Sequence, residues 1–174
     1  GTNTAIGVEA MVTCTTGDGN VAVGHQALEN NTTGSENVAI GRYALESNTT
    51  ANSSVAIGYR AMYENTTGVN NIAMGNQALD DNISGNSNTA LGFKALKVNT
   101  VAQNTAVGSE CLTANTTGAV NTAVGRLALG NNTTGNNSVA MGYLALYANT
   151  TGGENTAVGR HALDANTTAS GNCA

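Results

Sequence analysis

Hydrophobic residues recur along this chain with a fixed 17-residue period. Each period is marked by the tripeptide Ala-aliphatic-Gly, and the marker glycines are evenly spaced except that the interval from Gly92 to Gly108 is shorter by one position. A period of this length is typical of a repeat architecture, in which each unit buries its apolar residues against the next. The pattern therefore predicts a single solenoid over residues 1–174, with ten repeats and the start of an eleventh. The marker glycines are Gly7, Gly24, Gly41, Gly58, Gly75, Gly92, Gly108, Gly125, Gly142 and Gly159.

Numbered from its first Asn, the repeat reads Asn-(Thr/Val)-Ala-(Val/Ile)-Gly-x-x-Ala-Leu-x-x-Asn-Thr-Thr-Gly-x-x. The unit is too short for the helix pairs of helical solenoids, which need more than about 30 residues. Positions 1 to 5 alternate as in a β-strand, and Asn-Thr-Thr-Gly is typical of a turn in which Gly supplies a positive φ. The segment Gly-x-x-Ala-Leu fits one helical turn as well as a strand or bend, although the flanking chain leaves no room to extend a helix. We expect an all-β, parallel β-solenoid with one coil per repeat.

The alternation also predicts which side chains face inward. Aliphatic residues at positions 2 and 4 are expected to fill the interior, with Ala at position 3 and Gly at position 5 on the other face. Small residues at every level indicate that another backbone comes close, so we expect a homo-oligomer with the Ala-Gly strand near a symmetry axis. The alternative is that these residues face solvent or the opposite wall of a flat coil. The candidates to face a partner chain are Ala39, Gly41, Ala56, Gly58, Ala123 and Gly125.

Stacked coils place equivalent residues about 4.8 Å apart, so the Asn at position 12 should form a column. Stacked Asn side chains can bond their amides from one level to the next. The expected members of this structural ladder are Asn31, Asn48, Asn65, Asn82, Asn99, Asn115, Asn132, Asn149 and Asn166, with Cys14 at the same position in the first repeat.

Composition and charge remove several classes of function. Aromatic residues make up 3% and charged residues 10% of the chain, and the net charge is -5. Six Lys and Arg residues in an acidic chain argue against nucleic acid or an anionic membrane as partner. No apolar run approaches the length of a membrane span, so we expect no membrane insertion in this segment.

Candidate catalytic and metal-binding residues do not converge. His25 and His161 lie eight repeats apart, and Cys14, Cys111 and Cys173 lie in different coils, too far apart for a disulfide within the chain. Cys111 replaces a recurrent Ala and Cys173 a Thr or Val, so both are expected to be buried small residues. We expect no enzyme activity, no cofactor and no metal.

Charged residues at the variable positions are segregated, with carboxylates mainly at positions 10 and 11 and cations mainly at positions 6 and 7. These two stripes either pair across a subunit boundary and set its register, or remain solvated faces. The Asn-x-Thr/Ser sequences in the turns permit glycosylation, but the same residues serve the turn ladder. Repeated Thr also suggests an ice-binding protein. We expect this function to be disfavoured, because neighbouring Thr residues in a strand point to opposite faces.

The motif Asn-Thr-Ala-Val-Gly-x-x-Ala-Leu-x-x-Asn-Thr-Thr-Gly, as in residues 121–135, resembles the repeats of phage tail-fibre and related surface-fibre proteins. The form Val-Ala-Ile-Gly, at residues 38–41 and 55–58, is similar to the head repeats of trimeric autotransporter adhesins of the YadA-like type. The resemblance extends over the whole chain. It implies a left-handed parallel β-roll, an assembly of three chains, and a role in reaching or binding a cell surface.

Taken together, these features favour a structural fibre or adhesin segment, part of a longer extracellular or virion rod. We expect a trimer or an end-to-end filament of identical subunits. The alternative is a module that binds polysaccharide or host protein through variable columns of aromatic side chains, because Tyr offers flat amphipathic contact area. The surface-binding candidates are Tyr43, Tyr59, Tyr63, Tyr143 and Tyr147.

Overall fold

Ten three-residue strands form one parallel sheet in the structure, a computed structural model that describes residues 1–174. Each strand hydrogen-bonds to the strand of the preceding and following repeat, so the sheet order is the chain order. The strands are β1 (Thr4–Ile6), β2 (Val21–Val23), β3 (Val38–Ile40), β4 (Val55–Ile57), β5 (Ile72–Met74), β6 (Thr89–Leu91), β7 (Thr105–Val107), β8 (Thr122–Val124), β9 (Val139–Met141) and β10 (Thr156–Val158).

The register of the sheet joins equivalent residues of successive repeats. Ala39 pairs with Ala56, and Ala56 pairs with Ala73. The pairing of Ala90 with Ala106 keeps this register across the one shortened repeat, so the missing residue is absorbed in the turn between the strands. The predicted all-β parallel solenoid with one coil per repeat is therefore confirmed.

The inward face of the strands is the opposite of the predicted one. Ala39, Ala56 and Ala123 are fully buried, whereas the aliphatic side chains at positions 2 and 4 point outward and several are exposed. One cluster of 26 buried residues runs the length of the coil and is made of the residues at positions 3, 8 and 9. The coil is so narrow that Leu or Met at position 9 leaves room only for two small side chains, usually Ala, at the same level.

Glycine is required at the marker positions because the next coil of the same chain approaches the backbone there. A Cβ on Gly41 would lie 2.5 Å from the carbonyl oxygen of Gly58, and one on Gly125 would lie 2.5 Å from that of Gly142. The next coil therefore passes directly beneath each glycine, and Gly58 has the same relationship to Gly75. The prediction that the Ala-Gly strand faces a partner chain is corrected on this point, because small residues at these positions are explained by contacts within one chain.

The bends between strands place residues other than glycine in the left-handed backbone region. In the third repeat these are Tyr43 (φ 61°), Leu45 (φ 51°) and Ser53 (φ 56°), at positions 7, 9 and 17. Each such residue costs about 1–2 kcal/mol relative to the right-handed conformation. The segment Gly-x-x-Ala-Leu is therefore a tight bend, and the structure contains no helix.

The turn glycine at position 15 does not have the positive φ that its sequence context predicts. Gly34 is absent from the left-handed residues, yet a Cβ on it would lie 2.4 Å from Asn31 Oδ1 and 2.4 Å from the carbonyl oxygen of Ala51. Glycine is favoured here because the ladder amide and the next coil approach the backbone closely, not because of its backbone conformation.

Candidate functional site

The Asn side chains at position 12 lie in one column inside the turn. Asn48 Nδ2 donates to Asn31 Oδ1 at 2.7 Å, and Asn132 Nδ2 donates to Asn115 Oδ1 at 2.8 Å. Each amide also donates to the carbonyl at position 15 of its own repeat, as Asn31 does to Gly34 at 3.0 Å. The eight members from Asn31 to Asn149 are fully buried. Because most of these amides bond both to their own turn and to the preceding coil, the column fixes the turn and the stacking together.

This column is interrupted at two levels. Asn48 Oδ1 and Asn82 Oδ1 are buried without a hydrogen-bond partner. In the turn of Asn48 itself, position 15 is occupied by Ala51, and a Cβ built at this position in the equivalent turns lies against the ladder oxygen. Above Asn82 lies the shortened turn, in which Asn99 Nδ2 donates to the Val101 carbonyl at 2.7 Å. Both interruptions therefore follow from departures of the repeat from its own pattern.

A second column of Asn side chains lies at position 1, and our sequence analysis did not identify it. Asn20 Oδ1 accepts a hydrogen bond from the backbone N–H of Asn37 at 2.9 Å, and Asn20 Nδ2 donates to the Gly34 carbonyl at 2.9 Å. The signal for this column was the recurrence of Asn, replaced only by Ser54 and Ser138, at the start of every repeat. The turn carbonyl at position 15 therefore accepts hydrogen bonds from both columns, as Gly34 does from Asn20 and Asn31.

The two Thr columns of the turn differ in their surroundings. Thr32 Oγ1 donates to the Thr49 carbonyl at 3.0 Å, and Thr133 Oγ1 donates to the Thr150 carbonyl at 2.9 Å. The side chains at position 14, such as that of Thr50, are exposed. Position 13 therefore serves coil-to-coil bonding, and only position 14 presents free hydroxyl groups to solvent.

Aromatic and cationic side chains share one side of the rod, which we call the aromatic face and define as positions 6, 7 and 10 of every repeat. All five Tyr residues, Phe93 and both His residues lie there, as do the six cations Arg42, Arg60, Lys94, Lys97, Arg126 and Arg160. The structure divides the Tyr residues into two groups. Six coils separate Tyr43 from Tyr143, which is about 29 Å at strand spacing.

The N-terminal cluster consists of Arg42, Tyr43, Tyr59, Arg60 and Tyr63. The ring of Tyr43 meets the rings of Tyr59 and Tyr63 edge-on, at centroid distances of 6.1 and 6.2 Å. Arg42 lies over the Tyr43 ring at 4.5 Å and donates to its hydroxyl oxygen, while Arg60 lies over the Tyr63 ring at 4.1 Å. Both arginines of this cluster therefore contact a tyrosine ring of the same cluster.

A buried carboxylate supports this cluster from the next coil. Asp80 is fully buried, receives a hydrogen bond from Arg60 Nε at 3.2 Å and another from Gln77 Nε2 at 3.2 Å. Burial raises the pKa of Asp80 despite the opposing effect of Arg60. Burial lowers the pKa of Arg60, but the charge of Asp80 and its hydrogen bond raise it by more, so the pKa of Arg60 is raised overall. Nearby, the charge of Glu46 raises the pKa of the Tyr63 hydroxyl, and burial adds to it.

Charged residues pair between adjacent coils of the same chain. The Arg60–Asp80 pair joins position 7 to position 10 of the next repeat, and Lys97 Nζ lies 3.2 Å from Asp81 Oδ2. Pairing across a subunit boundary is therefore not needed to account for these four residues.

The C-terminal cluster is more open. Arg126 and Arg160 each lie 5.9 Å from the centroid of the Tyr143 ring. His161 meets the same ring edge-on at 5.5 Å, and its Nδ1 lies 2.7 Å from Asp164 Oδ2. Neither arginine has a carboxylate partner in the chain, so their guanidinium groups remain available to a ligand.

The cysteine thiols are separate and free, as the repeat spacing predicts. Cys111 is fully buried, and burial raises its pKa to about 12. Cys173 is exposed, so its predicted burial is wrong; it occupies position 2, whose side chains point outward. The structure contains no group of three or more His, Cys, Asp or Glu side chains arranged to hold a metal ion.

Comparison of the chain with protein-family models, with curated proteins and with solved structures found no match. No helix of the structure is long and apolar enough to cross a membrane.

Proposed function

We propose that this chain is a structural segment of a fibre or adhesin, assembled from identical subunits and displayed outside a cell or on a virion, where it projects toward or binds a surface. Ten stacked rungs at about 4.8 Å give a rod roughly 45 Å long. The invariant positions of the repeat serve stacking, and the variable positions form its surface. A structural, non-catalytic function of an extended rod is consistent with these separate roles of the constant and variable positions.

The observation that carries this proposal is the outward face of the ten-stranded sheet, which we call the aliphatic face and define as positions 2 and 4. Its side chains are Val, Ile, Leu, Met and Thr, with no charged residue in any strand. Ile40, Ile72 and Met74 are 39%, 41% and 43% exposed. Three-residue strands over ten rungs present roughly 450 Å² of flat surface, which is within the range of about 300–600 Å² for the largest patch on a typical monomer, and such patches are often functional.

We assign this face to other copies of the same chain. The side chains of this face repeat at every coil, so a partner matches them only if its own side chains have the same spacing. A second copy of the chain has the same rise per coil and therefore matches over the whole length. The absence of charge on the face removes any need for a complementary charged partner. A closed rotational assembly, a trimer in our proposal, buries the aliphatic face of each chain around one axis.

Substitutions on two surfaces of the rod test this assembly. We expect the wild-type chain to be a trimer by light scattering at micromolar concentration, and Ile40→Asp/Val124→Asp to shift it to a monomer. The control Thr33→Asp/Thr117→Asp places the same charges on exposed turn residues and should leave the trimer intact. Circular dichroism reports whether each variant keeps its β-structure. A wild-type monomer with full β-signal overturns the assembly.

A second function is supported by the aromatic face, which uses other positions of the repeat than the aliphatic face. Every aromatic side chain of the chain lies on that face, with Tyr59 42% and Tyr143 38% exposed. We propose that it contacts surface polysaccharide or host protein. Binding to a glycan array that Tyr59→Ala and Tyr143→Ala both leave unchanged would remove this function.

A further inference from the structure

The six cations of the aromatic face fall into two groups. Arg60 and Lys97 each contact a carboxylate of an adjacent coil. The other four have no carboxylate partner, and each lies over an aromatic ring instead. These are Arg42 over Tyr43, Lys94 over Phe93, and Arg126 and Arg160 over Tyr143.

Among these, one trio combines exposure with unused donors. Arg126 and Arg160 are exposed and lie on either side of Tyr143, one coil before it and one coil after it. Equivalent positions two coils apart are separated by about 10 Å along the rod. Arg42, in contrast, already donates to the Tyr43 hydroxyl at 2.6 Å. The trio is therefore the place on the aromatic face where two guanidinium groups flank an accessible ring.

The electrostatic surroundings of the trio differ from those of the rest of the chain. No Asp or Glu occurs between Glu110 and Glu154, although the whole chain carries a net charge of -5. Two carboxylates lie near the trio: Asp164 is engaged with His161, and Glu110, at position 7 of the coil before Arg126, forms no ion pair with either arginine. Half-buried Leu127 and Leu144 occupy position 7 at these levels and add an apolar floor. The coils around Tyr143 therefore present two unpaired guanidinium groups beside apolar side chains.

We propose that Arg126, Tyr143 and Arg160 form a binding site for a linear acidic polysaccharide that lies along the rod axis. This inference deepens the surface-binding function proposed above and rests on it. The Tyr143 ring stacks on the apolar face of one sugar. Each guanidinium group donates two hydrogen bonds to a carboxylate or sulfate carried by a flanking sugar.

The spacing of the cations favours a polysaccharide over a nucleic acid. Each strand of a nucleic acid carries a phosphate about every 3.4 Å, and its affinity depends on neutralising many of them. Two guanidinium groups about 10 Å apart cannot follow such a backbone. A polymer whose anions are separated by whole sugar rings, with apolar ring faces between them, matches the trio.

The test measures binding of the full chain to immobilised polygalacturonate and dextran sulfate, with neutral dextran and polyphosphate as comparison polymers. A hydrogen-bonded charged group contributes about 1.5–3 kcal/mol, so Arg126→Gln/Arg160→Gln should weaken binding at least about tenfold. Tyr143→Ala should weaken it as well. The matched controls are Lys97→Gln, which removes a cation already paired with Asp81, and Thr117→Ala, which removes an exposed hydroxyl group of the turn. Both should bind within about twofold of wild type.

Three outcomes would overturn the inference. The first is equal binding of polyphosphate, and the second is an equal loss in Lys97→Gln and in the arginine variant, which would indicate non-specific charge attraction. The third is binding of neutral dextran that depends on Tyr143 but not on the two arginines. That third result leaves the surface-binding function standing, and the trimer assay reports on the structural function separately.

Discussion

The side-chain amide of Asn132 donates to Oδ1 of Asn115 at 2.8 Å, although the two residues are one full coil apart in the chain. The same amide also donates to the carbonyl of Gly135 in its own turn at 3.0 Å, and its oxygen accepts from Asn149 at 2.9 Å. One buried side chain thus closes its own turn and bonds to the coils on both sides. Stacking and turn conformation are therefore coupled at every level where this geometry repeats.

Replacing Asn132 with Ala should destabilise the rod by about 2–4 kcal/mol, because it leaves Asn115 Oδ1, Asn149 Nδ2 and the Gly135 carbonyl short of partners in a buried column. Urea unfolding followed by circular dichroism measures the change. The control is Asn131→Ala, an exposed neighbour whose loss should cost less than about 0.5 kcal/mol. Equal stabilities for the two variants would show that the ladder contributes nothing.

The sequence predicted the solenoid because identical residues at a fixed period must stack when each period is one coil. Knowing that Ala39 pairs with Ala56 required only the period. The period alone did not predict which face of the strand points into the coil. Alternation separates two faces but does not say which is enclosed, and the usual rule that larger apolar residues are buried pointed to Val38 and Ile40.

That rule failed because the dimensions of the coil, rather than hydrophobicity, decide what fits inside. Leu45 and Ala44 at positions 9 and 8 already fill the interior opposite the strand, so Ala39 faces them and Ile40 is turned outward. The repeat numbering placed Tyr43, Tyr59 and Tyr63 in variable columns, and the structure brings their rings into contact. The buried pairing of Asp80 with Arg60 did not, because it depends on how the bend at position 7 directs its side chain toward the next coil.

Two glycines with different roles should respond differently to the same substitution. Gly118→Ala brings a Cβ to 2.4 Å from the side-chain oxygen Asn115 Oδ1 as well as from a backbone carbonyl, and the chain already accepts Ala51 at this position at the expense of one ladder bond. We expect a cost of about 1–3 kcal/mol. Gly125→Ala meets backbone of the next coil at 2.5 Å with φ at +128°, so it should cost more than about 3 kcal/mol.

Urea unfolding of the two variants tests this prediction through the order of the two stability losses rather than through their absolute values. A larger loss for Gly118→Ala than for Gly125→Ala contradicts the assignment of the close approach at position 5. The reverse substitution Ala51→Gly provides an internal check, since it should restore the hydrogen bond from Asn65 to Asn48. Amide hydrogen exchange in the turn of the fourth repeat should then slow.

The three thiols should differ in reactivity. Cys111 is enclosed and its pKa of about 12 keeps it protonated at neutral pH, whereas Cys173 is exposed. Alkylation with iodoacetamide at pH 8, followed by peptide mass spectrometry, should label Cys173 first and leave Cys111 unlabelled in the folded protein. Unfolding in guanidinium is the control and should make all three react. Rapid labelling of Cys111 without denaturant would mean that the coil opens locally around the seventh repeat.

Asp80 gives the rod a distinctive pH dependence. Its pKa in the folded chain is raised above the unfolded value of 3.8 because burial disfavours the charged form. Between these two values the folded state holds a proton that the unfolded state has released, so this residue lowers the free energy of unfolding as pH rises through that window. Above the folded pKa its contribution is constant, and below 3.8 the penalty is absent.

The variant Asp80→Asn isolates this contribution, since the amide keeps the shape of the side chain and cannot ionise. The difference in free energy of unfolding between variant and wild type, measured in urea from pH 3 to pH 7, should move in favour of the variant as pH rises and then level off. At the acid end both chains carry a neutral group, so the difference measured there is the reference for structural effects of the substitution. A difference that moves in favour of the wild type with rising pH would show that attraction to Arg60 exceeds the cost of burial, reversing the direction of the pKa shift.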